Sequence, residues 1–269
     1  MERSYDKVVI DNNNRSSYWD VAFGLQKTDG LVPSEYVKSL AEKHIANEVD
    51  YSEIYSQLED YYQESDIKIH TREQEADTVS VRIVEYLENA EYGFKLTKSS
   101  LKAIHRFLFK GVDLPYGMRS GEYRGYNITK DEPVLNGKSV YYTMYMDIED
   151  TLDWDFAQEI KRDYSDLSLT EKLLAVEHFI SDVWQIHPFP EGNTRTIAVF
   201  TVLYLRTKGF KVDNTPFVKN AEYFRDALVL ANTSDKELQT FKPLDDFFFM
   251  LVSSEQPEIK FKSLRNKRQ

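Results

Sequence analysis

Cysteine is missing altogether from this 269-residue chain, which excludes disulfides, thiolate catalysis and cysteine-held metals. Glycine and proline are scarce, at 10 and 8 residues, and most of them gather between residues 111 and 138 or around 188–192. The long stretches free of both breakers point to a mostly helical protein. Basic residues are outnumbered, 34 against 45 acidic, for a formal net charge of −11. That balance argues against unassisted binding to nucleic acid or to an anionic membrane, where affinity rests on neutralising phosphates. The longest apolar run, Ile197 to Leu205, is broken by Thr201 and falls far short of a membrane span. The opening residues lack the apolar segment of a secretory signal, so the expectation is a soluble, cytoplasmic protein. Gly-x-x-x-x-Gly-Lys-(Ser/Thr), Gly-x-Gly-x-x-Gly and His-Glu-x-x-His are all absent, leaving P-loop, dinucleotide-fold and zincin chemistry without support.

What is present is a wealth of large side chains at helical spacing. Aromatic residues make up 14%, with 18 Tyr and 16 Phe, enough to fill the core of one large domain or of a domain with a smaller appendage. The pattern predicts helices near 17–28, 33–46, 50–62, 71–89, 98–110, 148–161, 169–186, 194–208, 217–232 and 241–252. The segment 169–186 is the clearest. Ser168 and Glu171 fit a capping box, and Leu169, Leu173, Val176, Ile180, Val183 and Ile186 share one face. Pro188 forces His187 out of helical geometry, so this helix must end there. Between Tyr123 and Met144 the pattern alternates instead, with Asn136-Gly137 set between Pro133–Leu135 and Val140–Tyr142, a hairpin signal. The expected fold is therefore an all-α helical bundle with one β-hairpin. It divides into an extended N-terminus (1–15), an N-terminal helical module (16–65), a main domain (66–252) and a basic tail (253–269). Asn12 to Asn14 and the tail are expected to fray.

The informative stretch is Trp184-Gln-Ile-His-Pro-Phe-Pro-Glu-Gly-Asn-Thr-Arg-Thr196. An apolar helix delivers a histidine to its end, a short loop carries a carboxylate, a glycine and an asparagine, and a second apolar helix begins at Thr194. Glycine lets backbone approach a ligand, and the N–H groups of a helix start suit a phosphate. Glu191 could hold a divalent cation against that phosphate, because hard cations prefer oxygen. Arg195, one turn in, could reach back as a phosphate fork. His187 would then be the base that deprotonates an incoming hydroxyl. Taken singly, a histidine before proline is a helix stop and Glu-Gly-Asn a turn; taken together, the parts for in-line transfer to a hydroxyl lie within nine residues.

The nine residues His187 to Arg195 resemble the Fic motif, His-x-Phe-x-(Asp/Glu)-Gly-Asn-x-Arg, at every fixed position. The resemblance implies a helical Fic domain over 66–252 that transfers AMP from ATP, with Mg²⁺, to a Tyr, Thr or Ser hydroxyl of a protein, itself included. His187 would be the base, Phe189 a structural residue packing inward, and Glu191 the Mg²⁺ ligand. Gly192, Asn193, Thr194 and Arg195 would bind the phosphates. The segment Gly121-Glu-Tyr-Arg-Gly-Tyr-Asn127 and the hairpin after it would form the flap, with Asn136, Gly137, Val140 and Tyr141 docking the target by strand pairing. Glu222 to Asn232 is similar to the helix that helps enclose adenine, with Tyr223 and Asn232 as candidates. The partner is a protein with an exposed hydroxyl, and family members often form homodimers.

Three departures qualify the likeness. A second arginine, frequent three residues after the first, is here Ala198, which suggests altered ATP positioning, weaker activity or a different mode of control. Thr194 stands where glycine is usual, and not the lysine of the phosphate-transferring Doc branch, which favours AMP transfer. The inhibitory pattern (Ser/Thr)-x-x-x-Glu-(Gly/Asn) has no full match. Thr71 to Glu75 and Ser254 to Glu258 are partial, and Leu25-Gln-Lys-Thr-Asp29-Gly30 carries Asp-Gly in place of Glu-Gly. Region 16–65 still resembles the antitoxin-like module of some Fic proteins. With no second arginine, an inhibitory carboxylate is expected to lack a partner. The alternatives are a degenerate module that holds nucleotide or a partner without turnover, and AMP removal or transfer of another phosphate-linked group at the same site. Elsewhere, His105 and His178 read as core or boundary residues, His44 and His70 as solvated, and Phe247 to Val252 as the buried end of the last helix.

Overall fold

The computed structural model describes residues 12–64, 71–90, 93–252 and 264–265. Among them ten α-helices follow in order: α1 Asn12–Gln26, α2 Glu35–Ile45, α3 Tyr51–Glu64, α4 Thr71–Asn89, α5 Lys98–Leu108, α6 Ile148–Lys161, α7 Leu169–Ile186, α8 Asn193–Thr207, α9 Thr215–Asn232 and α10 Lys242–Val252. Each matches an expected helix, nine of them to within two residues at either end. α1 is the exception, since it starts inside the asparagine run that was expected to fray. His70, Ser254 to Glu258 and the basic tail other than Leu264 and Arg265 lie outside the described residues. Arg265 itself pairs with Asp226 at 2.8 Å.

Local chemistry sets the boundaries. Ser34 caps α2 by accepting from the Val37 N–H, Thr97 caps α5 by accepting from Ser100, and Ser168 with Glu171 forms the expected capping box on α7. α7 ends where His187 turns left-handed at φ 51°, one residue before Pro188. α8 is buried on every side from Asn193 to Leu205, so it must run through the centre. α7 packs against α6, α8, α9 and α10, while α8 also meets α5.

The N-terminal helices belong to the same core. Trp19, Ala22 and Leu25 of α1 are buried in one cluster with Phe200, Phe224 and Phe247, and α1 lies against α4 and α9. Gly24 permits the second contact, because a Cβ there would sit 2.6 Å from the Phe217 carbonyl oxygen. Carboxylates of α4 fasten the rest. Asp77 accepts from the Ser34 N–H at 2.8 Å and the Tyr62 hydroxyl at 2.7 Å; Tyr51 donates to Glu88 at 2.6 Å and Tyr55 to Glu85 at 2.5 Å. His44 is not solvated as its polar surroundings in sequence suggested. It is 2% exposed and its Nδ1 accepts from the Trp19 indole at 3.1 Å, because α1 folds over that face of α2.

The hairpin is the other correction. Among the described residues no strand forms. Asn136 and Gly137 do reverse the chain, both left-handed at φ 56° and 85°, and Glu132 donates to the Lys138 carbonyl at 3.1 Å. No ladder continues from that turn. The Arg124 guanidinium takes the carbonyls of Tyr126 and Thr143, and the Ser139 hydroxyl accepts the Lys130 N–H. Backbone groups that would have zipped two strands are thereby satisfied by side chains.

Candidate active site

His187 sits at the junction of α7 and the motif loop, almost wholly buried. Its Nδ1 lies 3.3 Å from the Trp184 carbonyl oxygen, which can only accept, so Nδ1 carries the proton and Nε2 the lone pair. Nε2 is buried with no hydrogen-bond partner. Burial, reinforced by the nearby charge of Lys130, holds the imidazole well below its ordinary pKa, so it is neutral across the physiological range. Tyr142 covers the ring at 4.4 Å between centroids, and Trp184 meets it edge-on at 5.4 Å.

The loop that follows is over-determined by its own residues and two helpers. The Asn193 side chain accepts from the Phe189 N–H at 2.9 Å and donates to the Phe189 carbonyl at 2.8 Å, clasping the loop across its base. Phe189 packs inward as expected, stacked on His105 at 3.9 Å with the rings 8° from parallel. His105 accepts from the Gly121 N–H at 2.7 Å through Nδ1, so its Nε2 donates to the Glu191 carbonyl at 3.1 Å. Burial lowers the His105 pKa to about 3, and the ring is a neutral strut. Gly192 is left-handed at φ 70°, and a Cβ there would lie 2.1 Å from the Phe109 ring; no other residue fits. Thr194 accepts from the Trp184 indole at 3.1 Å. Glu191 is the motif's half-exposed member, its Oε1 accepting from the Gly192 N–H at 3.1 Å. Among the described residues no group of three His, Asp or Glu side chains could cage a metal.

Arg124, which sequence reasoning did not single out, staples the flap segment to the end of α7. Its Nε donates to the His187 carbonyl at 2.8 Å and its Nη2 to Ile186 at 3.2 Å, while its own N–H donates to Pro188 at 2.8 Å. Nothing local marks it, since it acts on residues about sixty positions away. A second missed group holds Tyr142 over His187. The Tyr142 hydroxyl donates to Glu132 at 3.0 Å, Arg225 of α9 pairs with Glu132 at 2.9 Å, and the same guanidinium reaches the Thr28 carbonyl at 3.4 Å.

Arg195 departs furthest from expectation. Its side chain is fully buried and does not face open space for a phosphate. Nε pairs with Asp29 at 2.7 Å, Nη2 with Glu75 at 2.7 Å, Nη1 donates to Gln26 at 3.0 Å, and the guanidinium lies over the Phe109 ring at 4.7 Å. Burial opposes the charge, but Asp29 and Glu75 outweigh it and hold the guanidinium above its ordinary pKa. Arg72 closes the set, bridging the second Glu75 oxygen at 3.2 Å and the Asp29 carbonyl at 3.0 Å. Two of the segments that only partly match the inhibitory pattern thus meet at the motif's first arginine, and the expectation that such carboxylates lack a partner is wrong.

The remaining candidates scatter. Tyr223 lines a cleft of about 270 Å³ with Lys219 and Arg265, away from the motif loop. The Asn232 amide is spent on Ser181 at 2.8 Å and on the Leu228 carbonyl at 2.9 Å. Val140 is 2% exposed and cannot offer an edge for strand pairing, whereas Asn136, Gly137 and Tyr141 are at the surface.

Residues 95–205, which include the whole motif loop, match the Fic/DOC family. Among solved structures the fold is similar to a Fic family protein from Desulfovibrio desulfuricans G20, at 14% identity over 90% of this chain and 66% of that chain, with a TM-score of 0.52. It is also similar to a Fic domain containing signalling protein from Bacteroides thetaiotaomicron VPI-5482, at 15% identity over 89% of this chain and 86% of that one, with a TM-score of 0.50. A looser superposition, TM-score 0.48 at 15% identity over 84% and 94% of the two chains, relates it to the BepC protein, a VirB-translocated effector from Bartonella tribocorum with bound AMPPNP. No curated protein matches.

Proposed function

Taking residues 95–205 as a member of the Fic/DOC family, we propose that this protein is an adenylyltransferase that moves AMP from ATP onto a Tyr, Thr or Ser hydroxyl of a protein. The observation that carries the reading is the state of His187: neutral, fixed at Nδ1 by the Trp184 carbonyl, and presenting an unpartnered Nε2 lone pair. A general base requires that combination of protonation and direction. The first turn of α8 adds backbone N–H groups that have no helical acceptor and suit a phosphate.

In the proposed reaction Nε2 of His187 takes the proton of the acceptor hydroxyl as its oxygen bonds to the α-phosphorus of ATP. The bond from that phosphorus to the α–β bridging oxygen breaks, and pyrophosphate leaves. Glu191, half-exposed at the mouth of the loop, is the residue that would hold Mg²⁺, an ion that binds through one or two carboxylates and the substrate's own phosphates and offsets their charge. Asn193, His105 and Arg124 fix the loop so that His187 and α8 keep their relative position. Tyr142 and the Arg195 cluster describe a closed form, and both must shift for substrates to enter.

ATP labelled at the α-phosphate, incubated with Mg²⁺ and the protein, should leave label on protein, and the His187→Ala variant should leave none. Retention of label from the γ-phosphate instead would overturn AMP transfer in favour of phosphate transfer. A second reading, a module that holds nucleotide or a partner without turnover, is favoured by one observation: Arg195 is fully buried and ion-paired to Asp29 and Glu75, and Ala198 supplies no replacement. Tight ATP binding with no covalent label would support it.

A further inference from the structure

Five of the eleven exposed large apolar side chains among the described residues fall in the short stretch that follows Val140 and runs into α6. Tyr141 is 76% exposed, Met144 54%, Tyr145 41%, Met146 68% and Trp154 66%, all within fourteen residues. Their backbone is tied down. Gln185 donates to the Tyr141 carbonyl at 3.2 Å, Arg124 donates to Thr143, and the Tyr145 N–H donates to Asn127 at 2.9 Å. Between Tyr141 and Met144, Tyr142 turns inward against His187. Ile148, Leu152 and Phe156 of α6 face the core, so Trp154 stands on the opposite side, about 12 Å along the axis from Met146. Asp147 and Asp150 precede it on the same stripe, at i−7 and i−4. Glu149 and Asp153 flank them, partly offset by Lys98 at 3.1 and 2.6 Å.

Exposed Trp, Tyr and Met side chains on a fixed backbone, with no core function, are characteristic of protein interfaces. The acidic rim disfavours an anionic lipid surface and favours a cationic partner. We infer that Tyr141, Met144, Tyr145, Met146 and Trp154, rimmed by Asp147 and Asp150, form the docking face for a protein segment that carries basic residues around an apolar anchor. The inference rests on the adenylyl-transfer reading only in taking the docked protein to be the acceptor, whose hydroxyl this face would bring beside His187.

Trp154 supplies the assay, because Trp19 and Trp184 are buried and the emission accessible to acrylamide comes from Trp154. Two synthetic peptides, each with one tyrosine and two leucines, are titrated into the His187→Ala protein; one carries four Lys or Arg residues and the other four Glu. The cationic peptide should blue-shift the emission and shield it from acrylamide. By anisotropy its affinity should fall at least tenfold in Trp154→Ala and in the Asp147→Lys, Asp150→Lys double variant. Equal binding of both peptides, or binding of neither, would overturn the inference. A blue shift that grows with protein concentration and no peptide would overturn it too, by making a second copy the occupant. Because His187→Ala cannot turn over, failure of AMP transfer leaves this test standing; cationic binding without transfer to the peptide in the wild type would count against the proposed reaction and not against the docking face.

Discussion

Replacing Asp29 by Asn and Glu75 by Gln removes both negative charges from Arg195 while keeping side-chain size and an acceptor oxygen at each position. The three side chains are 11%, 6% and 0% exposed, so water cannot take over the lost charges. Leaving a buried charge without its partner typically costs about 3–5 kcal/mol. Taking the lower figure, the double variant should melt at least about 6 °C below the wild type, at roughly 2–4 °C per kcal/mol for a chain of this size. The same substitutions should favour nucleotide. If phosphate binding requires Arg195 to leave its carboxylates, the wild type forfeits about 3 kcal/mol of affinity, so the variant should bind ATP on the order of a hundredfold more tightly. Thermal melts with and without ATP and Mg²⁺, alongside calorimetric titration, read both effects. The expected pattern is a lower melting temperature without nucleotide and a larger rise with it. A variant that is destabilised but binds ATP no better than the wild type would refute the lock and leave Arg195 a structural anchor of α1.

Other outcomes follow from single contacts. His187→Ala should reduce transfer by at least about a hundredfold, as expected for loss of a general base, with an unchanged circular-dichroism spectrum. Because His187 is held well below its ordinary pKa, the acid limb of the transfer rate should not appear near pH 6.5 but lower; a half-maximal rate at pH 6.5 would mean that the ring is solvated in the working form. Gly192→Ala should destabilise by about 2 kcal/mol or more, through the left-handed backbone and the Phe109 contact, visible as a lower denaturation midpoint. Glu177 is buried in α7 and its carboxyl is pushed up to about 9 by burial and by Asp245. With the folded pKa above the unfolded one, the unfolded chain gives up its proton first, so stability falls as pH rises from about 4.5 to 9. Glu177→Gln should therefore stabilise by about 3 kcal/mol at pH 7, with little effect at pH 4, in chemical denaturation at the two pH values.

The helices and the motif loop were legible in sequence because their determinants are local. Ser168 with Glu171, Pro188 after His187 and the apolar faces of α7 and α8 all act within a few residues. The hairpin was misread because Arg124, inside the same segment, is held by the distant end of α7. Asn136-Gly137 makes the turn its type predicts, but Arg124 consumes the carbonyls of Tyr126 and Thr143 before strands can pair. Arg195 shows the same limit. Sequence pointed to Asp29 and Glu75 as partial matches, yet their meeting with Arg195 depends on contacts spanning 166 and 120 residues, which only packing of α1 and α4 against α8 creates. His44 was taken for solvated because polar neighbours in sequence conceal the Trp19 face that buries it.

One experiment reads both AMP transfer through His187 and its restraint by Asp29 and Glu75 acting on Arg195. Intact mass after incubation with ATP, Mg²⁺ and a tyrosine-bearing acceptor tests them most directly, in the wild type, the Asp29→Asn, Glu75→Gln double variant and that variant combined with His187→Ala. The expected result is added AMP units in the double variant at a higher yield than in the wild type, and none once His187 is removed. A double variant that is folded and binds ATP but gains no AMP, or one that still gains it without His187, would rule out transfer by this residue under that restraint.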